Sequence, residues 1–318
     1  MVWKRMPPRA QTQHLTIAPG EKGSAHMMVS RLIKRSLIIM PIFLCVLVFT
    51  CHAGEGKEGI TIAILPCDSI AITFKKFHPL VTYLQEMTGF DIKLLIPGDL
   101  AEFERAVKNK DIAFAFQGAN VYVQFANSFN RGALLRALNP DGTNAYAGVV
   151  IVRNDSSISK LEELQGKRVM FGAEFSARKW TAARVLFEEN GIDIERDLKA
   201  YSNGVSCEDI AFNVYLKTVD AGVVCDHLFK GNFEEYQELG INAKQLRVIA
   251  ETQLVSTRVF AARKDIHSDM VFKLYQALCN LNKRNLEHAK ILYEAGIGGF
   301  QKSNDKDYDA MRVLTGVR

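Results

Sequence analysis

The chain lacks the signatures of several common chemistries. No two cysteines stand at C-x-x-C spacing, and no Cys/His set has the interval of a metal site, which excludes zinc ribbons and C-x-x-C redox motifs. The seven histidines (His14, His26, His52, His78, His227, His267 and His288) are scattered and form no HExxH. A zinc-protease helix is therefore excluded, and each histidine reads as structural or solvated. No glycine-rich loop ends in GK[ST], and no nucleophile–base constellation stands out, so neither a P-loop nucleotide site nor covalent catalysis is expected. No catalytic residue, metal site or cofactor is predicted. There is also no internal repeat and no low-complexity tract.

A basic surface for nucleic acid is missing too, although the chain carries +5 overall. Residues 1–53 hold Lys4, Arg5, Arg9, Lys22, Arg31, Lys34 and Arg35 against Glu21, a net +6, so the residues after them carry −1. The excess sits in a leader, and a nucleic-acid partner is not expected. Arg31, Lys34 and Arg35 precede the apolar run Leu37 to Phe49. That run is shorter than the roughly 20 residues a membrane span needs. With "CHAG" behind it, the segment reads as a secretion signal cut after Ala53, and Met27 or Met28 serves as an alternative start. A lipoprotein cut before Cys51 and a short membrane anchor are the other readings, but Thr50 departs from the usual small residue before a lipid-bearing cysteine. Cleavage after Ala53 leaves Cys67, Cys207, Cys225 and Cys279 in an oxidising compartment, where isolated buried thiols are the plain expectation.

What is present is an α/β alternation over 318 residues, enough for two domains. "ITIAIL" (60–65) is a short apolar strand. Phe74, Phe77, Val81 and Leu84 then recur at helical spacing up to Gly89, which caps the helix. "IKLLI" (92–96), a helix near 101–109, "DIAFAF" (111–116), a helix near 120–128 and "ALLRAL" (133–138) follow. This βαβ rhythm predicts a parallel sheet covered by helices. After the turn-rich "NPDGTN" (139–144), "YAGVVIVR" (146–153) restarts the pattern. Ser159 and Glu162 read as a capping box before "LEEL", and "RVMF" (168–171) follows. Trp180, Ala183 and Phe187 form one apolar helix face that Asn190-Gly191 stops. "LKAYS", a helix near 208–217, "VDAGVVC", a helix near 227–238 and "QLRVIAE" (245–251) complete the unit. "RVFAAR" (258–263) is another strand, and helices are expected from 268 onwards. The reading gives a leader at 1–53, one lobe at 58–145 plus 255–318, and a second at 146–254. Two crossing segments join the lobes, whose strand ends face a shared cleft.

"FGAEFSARKW" (171–180) ends a strand on Gly172 and opens a helix with Ser176, Arg178 and Lys179. Free N–H groups, a hydroxyl and a guanidinium at one helix N-terminus suit an anion. Helix capping by Ser176 and a solvated Arg178 are the plain alternatives. Lys179 is expected to face solvent and Trp180 to pack in the core.

The stretch "LQGKRVMFGAEFSARKWTAARVLFEENGID" (164–193) resembles the signature of the periplasmic phosphate/phosphite/phosphonate-binding proteins, receptors of ABC transporters. "ITIAILPCDS", "DIAFAFQGANVYV" (111–123), "KTVDAGVVCD" (217–226), "QLRVIAET" and "VFAARKDI" resemble other stretches of that family in the same order, so the likeness covers roughly 59–315. It implies a bilobal type II periplasmic-binding-protein fold closing on a small anionic or zwitterionic ligand. It also implies a periplasmic monomer that docks on an ABC permease in the inner membrane. A receptor docking on a separate signalling partner is the alternative.

On that alignment the candidate ligand-binding residues are Asp68, Ser69, Gln117, Asn120, Tyr122, Ser176, Arg178, Cys207, Glu208 and Asp226. The departures are as informative. A hydroxyl-rich turn in the family is reduced here to Ser176 with Arg178 added. Cys207 stands where the family commonly has histidine, and Cys225 where it has one of two acids. Glu208 and Asp226 beside Arg178 imply a ligand that is zwitterionic or partly cationic. Two unpaired thiols are expected at 207 and 225, with a disulfide under the cleft as the alternative.

Overall fold

The computed structural model describes residues 59–226 and 242–317. The leader 1–53 with its signal, Cys45, Cys51, His14, His26 and His52, the helix expected near 227–238, and His227 lie outside the described residues. In chain order come β1 (Gly59–Ile64), α1 (Ile70–Thr88), β2 (Asp91–Leu95), α2 (Leu100–Lys108), β3 (Phe114–Gln117), α3 (Ala119–Phe125) and β4 (Phe129–Leu138). The two-residue β5 (Ala145–Tyr146) leads to β6 (Gly148–Arg153), β7 (Arg168–Gly172), α4 (Ala182–Glu189), β8 (Ala200–Gly204), α5 (Cys207–Tyr215), β9 (Ala221–Cys225) and β10 (Leu246–Glu251). The return runs through β11 (Val255–Ser256) to β12 (Val259–Arg263), α6 (Ser268–Asn280), α7 (Leu286–Glu294), β13 (Gly299–Ser303) and α8 (Asp309–Thr315).

Two sheets divide these strands. One has six strands in the order β13-β4-β12-β3-β1-β2, and the other has five, β10-β6-β9-β7-β8. The crossing segments pair with each other as a two-stranded ribbon, Val255 opposite Tyr146 and Ser256 opposite Ala145. Both sheets are mixed, which corrects the expectation of purely parallel ones. β1 runs parallel to β2 and β3, whereas β12 lies antiparallel between β3 and β4. The reason is topological: β12 arrives from the far lobe, so no βαβ crossover sets its direction. β6 enters the second sheet antiparallel to β9 for the same reason.

Local chemistry explains most boundaries. Ser69 caps α1, its hydroxyl accepting from the Ile72 N–H at 3.3 Å, and Gly89 ends it in the left-handed conformation, φ 76°. Phe77, Val81 and Leu84 are buried as their spacing predicts, but Phe74, one turn earlier, is about half exposed. Ser159 does engage an acid, though it is Glu163 at 2.6 Å rather than Glu162, and the segment it precedes is a 3₁₀ turn, Leu161–Leu164. β13 falls in a stretch read as helical. It is an edge strand of five residues, "GFQKS", too short to show a period.

The segment after β7 has unusual geometry. Ser176 caps a π-helical turn, Ala177–Thr181, in which the Thr181 N–H reaches back to the Ser176 carbonyl at 3.1 Å before α4 continues. Such turns are rare and widen the backbone locally. This one is wedged between the lobes. Ala177 and Ala182 pack in the same buried cluster as Ala119, Val121 and Tyr122 of α3, and the Asn120 amide donates to the Thr181 hydroxyl at 3.0 Å.

Two glycines permit that approach. A Cβ on Gly172 would lie 2.4 Å from the Lys179 Cβ and 2.7 Å from its Cε, and a Cβ on Gly148 would lie 2.6 Å from the Arg178 carbonyl oxygen. Lys179 therefore folds back over the end of β7 and is 4% exposed, which overturns its expected solvent position. Replacing Gly172 with alanine is expected to cost about 1–3 kcal/mol by overpacking, read as a lower urea midpoint. Gly59→Ala, where a Cβ meets nothing within 4 Å, serves as the control. Equal midpoints for the two variants would contradict the close approach.

Candidate functional site

The strand ends of the two sheets and the crossing segments enclose a cavity of about 210 Å³. The six-stranded lobe supplies Asp68 after β1, Lys76 of α1, and Gly118 at the start of α3. Ser176, Arg178 and Lys179 of the π turn face it from the other lobe, with Cys207 and Glu208 at the start of α5 and Cys225 at the end of β9. The crossing segments contribute Tyr146 and Arg258.

Charge on this wall is lopsided. Lys76, Arg178, Lys179 and Arg258 line it with two carboxylates, Asp68 and Glu208. Arg178 lies over the Tyr146 ring, 4.0 Å from guanidinium carbon to ring centre, and 3.7 Å from an Asp226 carboxylate oxygen. Its side chain is only 16% exposed. Burial works against its charge, but Cys225, Tyr146 and Cys207 hold its pKa above the ordinary value. Burial opposes the charge of Lys179 as well, and the neighbouring thiols Cys207 and Cys225 raise it. Both groups therefore stay cationic at neutral pH. Burial pushes the Tyr146 phenol up to about 12, so it stays neutral beneath Arg178.

Other groups are already engaged by the protein. Arg258 donates to the Leu65 and Phe116 carbonyls and stacks on the Phe116 ring at 4.0 Å. Lys76 pairs with Asp68 at 2.6 Å; burial lowers its pKa, but that bond, with Glu208 adding from across the cavity, leaves it raised. The Ser176 oxygen accepts from the Lys179 N–H at 3.1 Å, so its own O–H remains available to donate. Cys207 and Cys225 are free thiols whose sulfurs lie 2.7 Å apart.

Of the residues singled out in the sequence, Asp68, Ser176, Arg178, Cys207 and Glu208 meet on this cavity. Asp226 stands just behind the wall, 8% exposed, against Arg178. The others are placed elsewhere. Ser69 is exposed and caps α1. Tyr122 is fully buried and its hydroxyl donates to Asp305 at 2.6 Å, an acid that Arg131 and Arg312 also hold. Burial and that carboxylate both raise the Tyr122 pKa. Asn120 turns to Thr181, and Gln117 is buried with neither amide atom hydrogen-bonded among the described residues. The physical reason is the tight β3–α3 junction. It presents the Gly118 backbone to the cavity and turns the flanking side chains inward.

Sequence reasoning missed Lys76, Tyr146 and Arg258, and misplaced Lys179. Tyr146 and Arg258 do carry a signal. Each sits where "YAGVVIVR" or "RVFAAR" begins to cross between the lobes, and a crossing segment must border the cleft. Lys76 carries none, being one lysine of the pair Lys75-Lys76 on an exposed helix face. Among the described residues, no group of three His, Cys, Asp or Glu is placed to hold a metal ion. No helix there is long and apolar enough to cross a membrane.

Comparison with known proteins places the fold. The phosphonates-binding periplasmic protein of Escherichia coli is 23% identical over 272 residues, covering 83% of this chain and 78% of that protein. A phosphate-import protein of Mycolicibacterium smegmatis is 22% identical over 282 residues, with 83% and 87% covered. A solved structure from Prochlorococcus marinus, in complex with methylphosphonate, superposes with a TM-score of 0.71 at 16% identity, covering 81% of this chain and 97% of that one. The sequence profile described as the periplasmic substrate-binding protein of phosphonate ABC transporters matches residues 62–308. The chain thus belongs to the family of periplasmic substrate-binding proteins of phosphonate ABC transporters.

Proposed function

We propose that this protein captures a small phosphonate- or phosphate-type oxyanion between its lobes and presents the closed complex to an ABC permease. The observation that carries this is the convergence of Arg178, Lys179 and Ser176 on one small cavity with twice as many cations as carboxylates. An oxyanion there receives charge-assisted hydrogen bonds from a guanidinium and an ammonium, each already stripped of most of its water. The Ser176 O–H and the N–H groups of the turn's first residues add neutral donors. A cavity near 210 Å³ lies below the usual range of about 300–1,000 Å³ for drug-sized ligands, which favours a guest of few heavy atoms.

Capture rather than conversion follows from the donor set. The wall offers cations and hydroxyls, groups that donate to an anion, and no histidine is among the cavity residues. A monomer suffices, because one chain supplies both walls. Secretion through the 1–53 leader fits capture outside the cytoplasm.

Glu208 favours a second reading of the ligand. It lines the same cavity opposite Lys76, and a carboxylate in that position would hold the ammonium of an aminoalkylphosphonate while Arg178 and Lys179 hold the phosphonate.

Calorimetric titration separates these guests. Wild-type protein is expected to bind methylphosphonate, inorganic phosphate or 2-aminoethylphosphonate with micromolar or tighter affinity, about 8 kcal/mol or more. Arg178→Met is expected to weaken binding by roughly 10- to 150-fold, the equivalent of losing a hydrogen bond to a charged group. No heat with any of the three would count against an oxyanion guest. Glu208→Gln divides the two readings. It is expected to weaken 2-aminoethylphosphonate by about tenfold and to leave methylphosphonate unchanged or tighter. Equal losses for both ligands would argue against an ammonium contact.

A further inference from the structure

The cavity holds one feature that anion capture does not use. Cys207 is the first residue of α5 and Cys225 the last of β9. They are 7% and 4% exposed, both line the cavity, and their sulfurs are 2.7 Å apart. The Cys225 N–H also donates to the Cys207 sulfur at 3.1 Å. Two thiols this close need little backbone movement to bond. The cavity gives a small reagent access to both.

We propose that Cys207 and Cys225 are a reversible dithiol–disulfide pair built into the anion cavity, and that closing the disulfide strengthens anion binding. The second half rests on the reading that the cavity takes an oxyanion. The step is a thiol–disulfide exchange. The Cys207 thiolate attacks a sulfur of a small disulfide, forming a mixed disulfide and releasing one thiolate. Cys225, losing its proton to solvent, then displaces the second. The protein thiols lose two electrons and two protons, and the small disulfide becomes two thiols.

The surroundings make Cys207 the attacking group. Burial pushes its thiol up. The hydrogen bond with Cys225, and the cations Lys179 and Arg178, more than offset this and bring it down to about 6. Burial and the neighbouring sulfur push Cys225 up. The position of Cys207 at the start of a nine-residue helix, capped by Ser206, favours its thiolate further. The other charged or titratable groups bordering the cavity are Glu208 of α5, Asp226 after β9, Tyr146, and Cys67, Asp68, Lys76 and Arg258.

Oxidation then alters the anion site directly. Once Cys207 is ionised, the reduced pair places a negative charge beside the cations an oxyanion needs. A disulfide is neutral and leaves Arg178 and Lys179 to the guest. The gap between the two forms should be widest well above the Cys207 pKa, and should close as pH falls through it and the thiolate protonates.

The test uses the unmodified protein, so it does not depend on a variant folding. The protein is equilibrated across reduced and oxidised glutathione ratios, acid-quenched, alkylated and mapped by peptide mass under non-reducing conditions. The expected product is a linked Cys207–Cys225 peptide pair, reversed by reduced glutathione, while Cys67 and Cys279 alkylate. Calorimetry with methylphosphonate at pH 8 is expected to show roughly tenfold tighter binding by the oxidised form, shrinking to near equality at pH 5. Alkylation of both thiols at the most oxidising ratio, or a link from Cys67 instead, overturns the pair. A linked pair with equal affinity at pH 8 overturns its effect on binding. Absence of methylphosphonate binding in both forms removes the affinity claim along with the oxyanion reading, and the peptide map still decides the disulfide by itself.

Discussion

Two cations held largely out of water, Arg178 and Lys179, set the terms for everything around them. Removing a charge from water costs several kcal/mol unless the surroundings answer it. The protein answers in part. The Tyr146 ring lies under the guanidinium, Asp226 stands 3.7 Å away, and the Cys207–Cys225 sulfurs lie close enough to raise both pKa values. None of these is a short, bidentate carboxylate pair of the kind that satisfies a guanidinium fully. On the proposed reading, the charge left over is available to a guest, which is how a receptor gains affinity from few contacts.

Geometry links that charge to the fold. The cations are on a π turn wedged between the lobes, and the turn can be there because Gly172 and Gly148 leave room for it. The same turn buries Ala177 and Ala182 against α3 and takes a hydrogen bond from Asn120. An anion drawn to Arg178 and Lys179 therefore acts on the segment through which one lobe touches the other. On the proposed reading, ligand binding and lobe closure are one equilibrium rather than two. The chain crosses between the lobes at the short β5–β11 ribbon.

Much of this was legible in the sequence. Helix periods and caps located most of the elements, and "FGAEFSARKW" marked the turn that lines the cavity. What was not legible depended on three-dimensional neighbours. The side chain of Lys179 looks like any lysine on an opening helix, and only the missing Cβ of Gly172, seven residues earlier, lets it lie flat and buried. Tyr122 looked like a ligand phenol because it follows β3, but Asp305, which claims its hydroxyl, lies 183 residues away. Arg258 and Tyr146 come together with the cavity only when both crossing segments are in place. Mixed sheets escaped the βαβ rhythm because strand direction follows the crossovers, and no local pattern records those.

The central claim is that Arg178 and Lys179, together, hold the guest. A crystal structure grown with methylphosphonate tests it most directly. The account predicts a tetrahedral group in the cavity with phosphonate oxygens about 2.7–2.9 Å from both cationic side chains. Density for the ligand elsewhere, or a filled cavity in which neither cation contacts the phosphonate, would contradict it.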